Sequence, residues 1–387
     1  MSDGDTPLKS IISFTQDLVR TPSQAYTDDP QEILGVISNW AKDRRLDFHS
    51  LRDAAGKTVG GYLHCVSSNP GPSICLDACV DTCPFGAPET WNNPPASGLI
   101  EGDYLHGRGA ADSKIAVSLF CHLFDLISRI GLNSGQLYVL LDADEHTGNF
   151  GGVKAFLKEK PRLDAVFIGY PGDQEIMIGA RGFLRAKATV YGQAAHSGSR
   201  KPAIDDALLK MTELVQKIYS TPLPIESDSR FANPKVTITA VHGGEGFSQI
   251  ADKADINIDM RITPNFNCTN AAKWLQDIID GFNAKHPDRA HSTLSFTESW
   301  PAYALEETNE AVCALQEGAQ SELGRAIPLR VSGPSNIGNY LAAHDIPALC
   351  GFGVDYKNLH GANETVRISS IEPVYKAYHG TIRKLCP

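Results

Sequence analysis

Apolar positions follow two patterns along the chain. Up to about Phe183, short unbroken apolar runs alternate with stretches of helical spacing. Helical spacing covers 8–22, 31–44, the stretch after Lys114 to about Ile130, and 151–158. The runs at 60–66, 73–81, 137–143 and 165–169 read as strands, several of them apolar on both faces. Such runs mark strands of a parallel sheet covered by helices. From Leu184 the period changes to strict alternation, at 184–191, 236–241 and 254–262, with helices at 203–219 and 270–282 and a short strand at 294–297. A βαββαβ order belongs to a ferredoxin-like α+β unit. Beyond Pro301 the first texture returns, with a helix at 308–322, strands near 328–331 and 348–352, a helix from Ile337 and a closing helix. The expectation is an α/β domain, residues 1–183 and 299–387, with a mostly parallel sheet flanked by helices, and an inserted α+β dimerisation or lid domain at 184–298.

Composition narrows the class without changing that picture. The chain has 387 residues, 42% hydrophobic and 21% charged, which is ordinary for a soluble globular protein. A net charge of −10 argues against a nucleic-acid partner. No apolar run nears the ~20 residues that cross a bilayer, and Met-Ser-Asp-Gly-Asp at the start lacks a secretory pattern. Nine scattered cysteines are most simply reduced thiols, so a cytoplasmic location is expected.

Candidate chemistry collects just past strand ends, where open α/β sheets bind ligands. Leu137–Gly152 carries Asp142, Asp144, Glu145 and His146 after its apolar run. The bland reading of those acids is a helix N-terminus. Cys79 and Asp81 end the run at 73–81, and Tyr170 follows the run at 165–169.

Seven segments, in order from 79 to 364, carry a resemblance. They are Cys79-Val80-Asp81-Thr82-Cys83-Pro84, Trp91 with Pro94-Pro95, the glycine-rich stretch Gly107 to Lys114, Asp144-Glu145-His146, Gly192 to Ser197, Asp259-Met260-Arg261, and His360 with Asn363-Glu364. Together they resemble the M20 family of metallopeptidases, the aminoacylase, acetylornithine deacetylase, succinyl-diaminopimelate desuccinylase and carboxypeptidase G2 relatives. The resemblance implies two zinc ions bridged by the aspartate of the glycine-rich segment, here Asp112, and a glutamate acting as general base, here Glu145. It breaks at three ligand positions: the first-site His is Cys79, the first-site carboxylate is Tyr170, and the second Glu is His146.

These changes leave one site with a thiol and a neutral phenol, a poor ligand with pKa ≈ 10. The other retains Asp112, His146 and His360, a recognised zinc set with an open position. One zinc per chain is therefore expected, with Glu145 and Asp81 in the catalytic group. A metal-free binding protein stands as the non-enzyme alternative. Cys79 as nucleophile is the thiol alternative, against the bland reading of a small buried hydrophobe. Cys83 falls on a valine position of the family and reads as packing.

The resemblance also implies that His196 reaches into a partner's active site to stabilise an oxyanion, and that Arg261 binds a substrate carboxylate. Ser335 and Asn336 sit on the family's Gly-x-Thr/Ser-Asp loop as further substrate contacts. The resulting expectation is a homodimeric amidohydrolase acting on a small N-acylated amino acid or peptide bearing a carboxylate, with no nucleic-acid or membrane partner. Acyl transfer or amide formation on the same fold is the second enzymatic alternative.

Overall fold

The computed structural model describes residues 7–159, 163–200, 205–285, 287 and 289–387. The start Met1–Thr6 and the expected first turn of the helix at 203–219 (203–204) lie outside the described residues. The chain divides into two compact units: Met1–Gly179 with Leu305–Arg330 and His344–Pro387, and Ala180–Ala304 with Val331–Ala343.

The first unit is built on β1 (His49–Arg52), β2 (Thr58–Val66), β3 (Ser73–Cys79), β4 (Gln136–Asp142) and β5 (Ala165–Ile168), completed by Ala348–Leu349. Their order is β1-β2-β4-β3-β5 and then Ala348–Leu349. β4, β3, β5 and the last strand run parallel, whereas β1 and β2 add an antiparallel edge. β1 is the one strand of this sheet that apolar patterning misses. A turn makes it: the Asp53 carboxylate accepts the N–H groups of Ala55 and Lys57, and Gly56 takes φ +81°. Helices α1 (Leu8–Arg20), α2 (Pro30–Asp43), α3 (Ile115–Ile130) and α4 (Gly151–Glu159) cover the sheet.

β3 is buried at every position. Side chains alternate along a strand, so Ile74, Leu76 and Ala78 share one face and Cys75, Asp77 and Cys79 the other. Ile74, Leu76 and Ala78 join the core cluster with Phe120, Leu123 and Phe124 of α3. Each of the leucine, isoleucine and phenylalanine side chains stabilises the fold by ~1.5–3 kcal/mol. The parallel register sets Cys79 beside Asp142, so both strands deliver chemistry at the same sheet edge.

The second unit contains β6 (Gly182–Tyr191), α5 (Ala207–Ser220), β7 (Lys235–Gly243), β8 (Lys253–Ile262), α6 (Cys268–Ala284) and β9 (Thr293–Trp300). Sheet order is β7-β8-β6-β9, antiparallel throughout. Asp206 and Asn267 cap α5 and α6, each cap worth ~0.5–2 kcal/mol. Leu214, Ile218, Leu275 and Ile279 of these helices bury against Ile256, Ile258 and Met260 of β8.

The second unit reaches a few residues further than expected at both ends, from Ala180 to Ala304, and takes in one segment more. Residues 331–343, expected in the α/β domain, group with the second unit. Polar side chains fasten them there. Asn339 donates to the carbonyls of Arg181 and Pro301, and Arg181 Nε donates to Gly333 O at 3.0 Å.

Candidate active site

The glycine-rich segment delivers Asp112. Gly109 has φ +77°, and a Cβ there would stand 2.5 Å from Thr82 Cγ2, so the turn admits glycine only. An irregular turn, Ala110–Lys114, follows and runs into α3. Its backbone is anchored by Glu364, whose Oε1 accepts the N–H groups of Ala111 (2.8 Å) and Asp112 (3.2 Å). Glu364 Oε2 in turn accepts from Arg108 at 2.8 Å, both side chains being buried. Arg108 also donates to His360 O at 3.2 Å and lies 5.1 Å from the Trp91 ring. Cutting one partner from a buried pair of this kind costs ~3–5 kcal/mol.

The loop after β4 delivers Glu145 and His146. Asp142 Oδ1 accepts from Asp144 N and Gly152 N, and Oδ2 from Val153 N. Burial, then the charge of Asp81, pushes the Asp142 carboxyl up to about 8. Asp144 accepts the Thr147 hydroxyl and the Asn149 amide, both at 2.6 Å. These two acids, part of the candidate cluster in the sequence, are therefore spent on shaping the loop. Asp81 ties the loops together, accepting Glu145 N at 3.1 Å and His146 N at 2.8 Å.

Five candidate side chains converge. His360 Nε2 lies 2.8 Å from Asp112 Oδ2, and His146 Nε2 lies 3.6 Å from the same oxygen. His146 Nδ1 stands 3.1 Å from Glu145 Oε2 and 3.7 Å from Asp81 Oδ2. The His146 and His360 ring centroids are 5.4 Å apart. Burial opposes charge on both Asp112 and His146. Their mutual attraction wins, with His360 adding to it, so the Asp112 carboxyl is held well below its usual range and the imidazole of His146 well above. Glu145 is pushed up to about 7 by burial, moderated by the neighbouring His146.

The first-site positions look different. Tyr170 donates to Glu145 Oε1 at 2.6 Å, and burial followed by the Glu145 charge keeps the phenol protonated. It acts on the glutamate and not as an anionic ligand. Cys79 is fully buried, 3.3 Å from Ser113 Oγ, which donates to Asp112 Oδ1 at 2.8 Å. Burial and then Asp112 raise this thiol far above its ordinary value. A nucleophilic cysteine needs a lowered pKa, so the thiol alternative finds no support here.

Donor chemistry fits a metal ion. Both ring nitrogens of buried His146 lack an aligned hydrogen-bond partner. Two groups of three donor atoms lie mutually within 4.8 Å among the described residues: Cys83–His146–His360 and Cys79–Glu145–His146. Asp112, expected as the ligand shared with His146 and His360, is in neither group, although its Oδ2 lies 2.8 Å from His360 Nε2 and 3.6 Å from His146 Nε2. Its Oδ1 takes the Ser113 hydroxyl and its Oδ2 faces His360. Cys83, read as packing, stands in the donor group instead. Spacing gave no signal for it; only the fold brings residue 83 to residues 146 and 360.

Residues expected to hold substrate lie in the second unit. His196 is exposed on a two-residue strand, Ala195–His196, paired with Gln249–Ile250. Its Nδ1 accepts Gly198 N at 3.0 Å. Arg261 donates to Asp259 at 2.8 Å, and its Nη1 stands 3.5 Å from Ser335 Oγ. Ser335 donates to Arg181 O at 2.7 Å. Arg181, not singled out in the sequence, loses proton affinity through burial and then through Arg261. Asn336 is buried and caps the helix Ile337–Ala342, its Oδ1 accepting Gly338 N at 2.8 Å.

Residues 75–384 match the family described as Peptidase family M20/M25/M40. The chain belongs to the M20 peptidase family. Among curated relatives it is 24% identical over 384 residues to a succinyl-diaminopimelate desuccinylase of Parvibaculum lavamentivorans, covering 96% of this chain and 94% of that one. Among solved structures, a tripeptidase of Staphylococcus aureus superposes with TM-score 0.79 at 18% identity, over 98% of both chains. A dinuclear metal-binding M20 peptidase of Bacillus subtilis does so with TM-score 0.74 at 14% identity, again over 98% of both. The expected mixed α/β fold with a mainly parallel central sheet is thus that of M20 peptidases. A hydrolytic enzyme is what these relatives support. No helix among the described residues is long and apolar enough to cross a membrane.

Proposed function

We propose that this M20 member hydrolyses the amide of a small N-acylated amino acid or peptide, using one metal ion, zinc, held by His146 and His360 with Asp112 against both. The observation that carries the reading is buried His146, whose ring nitrogens lack an aligned hydrogen bond yet stand between Asp112 and Glu145 and face His360. When bound, the ion supplies Lewis acidity toward the acyl oxygen and brings water into its nucleophilic range near neutral pH.

The remaining steps belong to side chains. Glu145, ionised above about pH 7, takes the proton of the attacking water and delivers it to the leaving nitrogen. Tyr170 holds one oxygen of that carboxylate and directs the other toward His146. Asp81 fixes the backbone of both residues, so they move as one unit. The buried Arg108–Glu364 pair fixes Asp112 and the loop of His360. In the second unit, Arg261 with Ser335 binds the substrate carboxylate, and the nearby guanidinium of Arg181 adds positive field. His196, supplied by the second copy of a homodimer, steadies the oxyanion; its exposure and the edge position of β7 suit such an assembly. Nine free thiols accord with a cytoplasmic location.

The test is product formation. The chelator-treated and zinc-reloaded enzyme is offered a panel of N-acyl amino acids, succinylated and acetylated, and dipeptides, and free amine is measured. Zinc-dependent release of amine is expected. Release that is indifferent to chelator overturns the metal role, and absence of release across the panel overturns the substrate class.

A further inference from the structure

The donor atoms around His146 specify more than the presence of an ion. Cys83 Sγ, a ring nitrogen of His146 and a ring nitrogen of His360 lie mutually within 4.8 Å. Neither nitrogen of His146 has an aligned partner, although the ring is buried. His360 has Nε2 committed to Asp112 Oδ2 at 2.8 Å, which leaves Nδ1 as the nitrogen free to coordinate. Metal-bound histidines commonly donate their other N–H to a carboxylate, which fixes the ring and raises its basicity. Cys83 itself makes a long contact, 4.0 Å from Sγ to His360 O, and is half-buried.

We infer that Cys83 is the third metal ligand, forming a thiolate–bis-imidazole site with His146 and His360, and that Asp112 acts through His360 instead of binding the ion. This deepens the one-metal reading above and rests on it. The competing group, Cys79–Glu145–His146, would consume the general base, and its thiol is buried against Ser113. Binding is balanced by one proton: the Cys83 S–H bond breaks, a sulfur–metal bond forms, and the proton leaves to solvent. One thiolate and two imidazoles suit a tetrahedral, borderline-soft divalent cation with its fourth position open, Zn2+ above Mg2+ or Mn2+. The softness of this set separates it from a carboxylate-rich dinuclear centre.

The test uses the full-length protein reloaded with Co2+ for absorption and with Zn2+ for X-ray absorption, alongside Cys83→Ser, Cys83→Ala and Cys79→Ser. Wild type is expected to develop a thiolate-to-cobalt charge-transfer band and a zinc–sulfur shell near about 2.3 Å. Both should survive Cys79→Ser and be lost in the two Cys83 variants. The wild-type zinc spectrum needs no variant to fold. An ion bound with nitrogen and oxygen only, or a band that persists without Cys83, overturns the inference and leaves the one-metal reading standing. If wild type binds neither ion, that reading falls and takes the inference with it.

Discussion

Two halves of one loop behave differently. Asp142 and Asp144 satisfy their carboxylates on backbone and side-chain donors within the loop. The next two residues do not: Glu145 takes its hydrogen bond from Tyr170 outside the loop, and the imidazole of His146 has charged neighbours within 4 Å but no aligned hydrogen bond. Polar groups that close their own hydrogen bonds make architecture. Buried polar groups left open are costly to fold and persist where a ligand completes them. The contrast sorts four acidic and basic residues that the sequence presents as a single cluster.

The largest expected separation of the two halves is in rate. Glu145→Gln keeps size and loses the base, so kcat should fall by ~10²–10⁴ with the melting temperature unchanged. Steady-state kinetics beside thermal unfolding checks it; a near-normal kcat would move the base elsewhere. Asp142→Ala should do the reverse to the fold. It strips acceptors from the N–H groups of Asp144, Gly152 and Val153, at roughly 1–3 kcal/mol for each group left unpaired, and urea unfolding would measure the loss.

A smaller effect is expected from Tyr170→Phe. The phenol donates to the Glu145 carboxylate and so favours its ionised form. Without it the glutamate pKa rises further, and the acid limb of kcat/KM, expected near pH 7 in wild type, should move to higher pH. A limb that stays in place would remove Tyr170 from the account.

The smallest effect concerns Asp77, buried in β3 with neither oxygen hydrogen-bonded. Burial first, then Asp142 and Glu145, raises its pKa well above the usual carboxylate range. The folded state therefore binds its proton more tightly than the unfolded chain does. Stability from this group is complete below the unfolded value and is lost as pH rises toward the folded one. Asp77→Ala should lose less stability than wild type between pH 5 and pH 8 in urea titrations. A parallel decline in both proteins would show that the carboxyl is not protonated in the fold.

Much of this was legible in the sequence because periodicity carries it. The switch from doubly buried runs to alternation at Leu184 marks where the second unit begins to within a few residues, and β3 and β4 lie where apolar runs lead into Cys79 and Asp142. The antiparallel β1 was not legible, since Asp53 and Gly56 create it through a turn while the strand itself has one buried residue. Residues 331–343 were misassigned because Asn339 and Arg181 anchor them by hydrogen bonds, which leave no hydrophobic period. In the site, motif order brought out Glu145, His146, Asp112 and His360. Cys83, Arg108 and Glu364 stand inside motif segments, but their pairing spans more than 250 residues and only the fold reveals it.

The claim on which the rest depends is that His146 holds a metal ion together with His360. Metal content of protein purified without chelator, measured for wild type and for His146→Ala, addresses it directly. One zinc per chain in wild type and none in the variant is the predicted result. Two ions per chain, or an ion retained after His146 is removed, would contradict it.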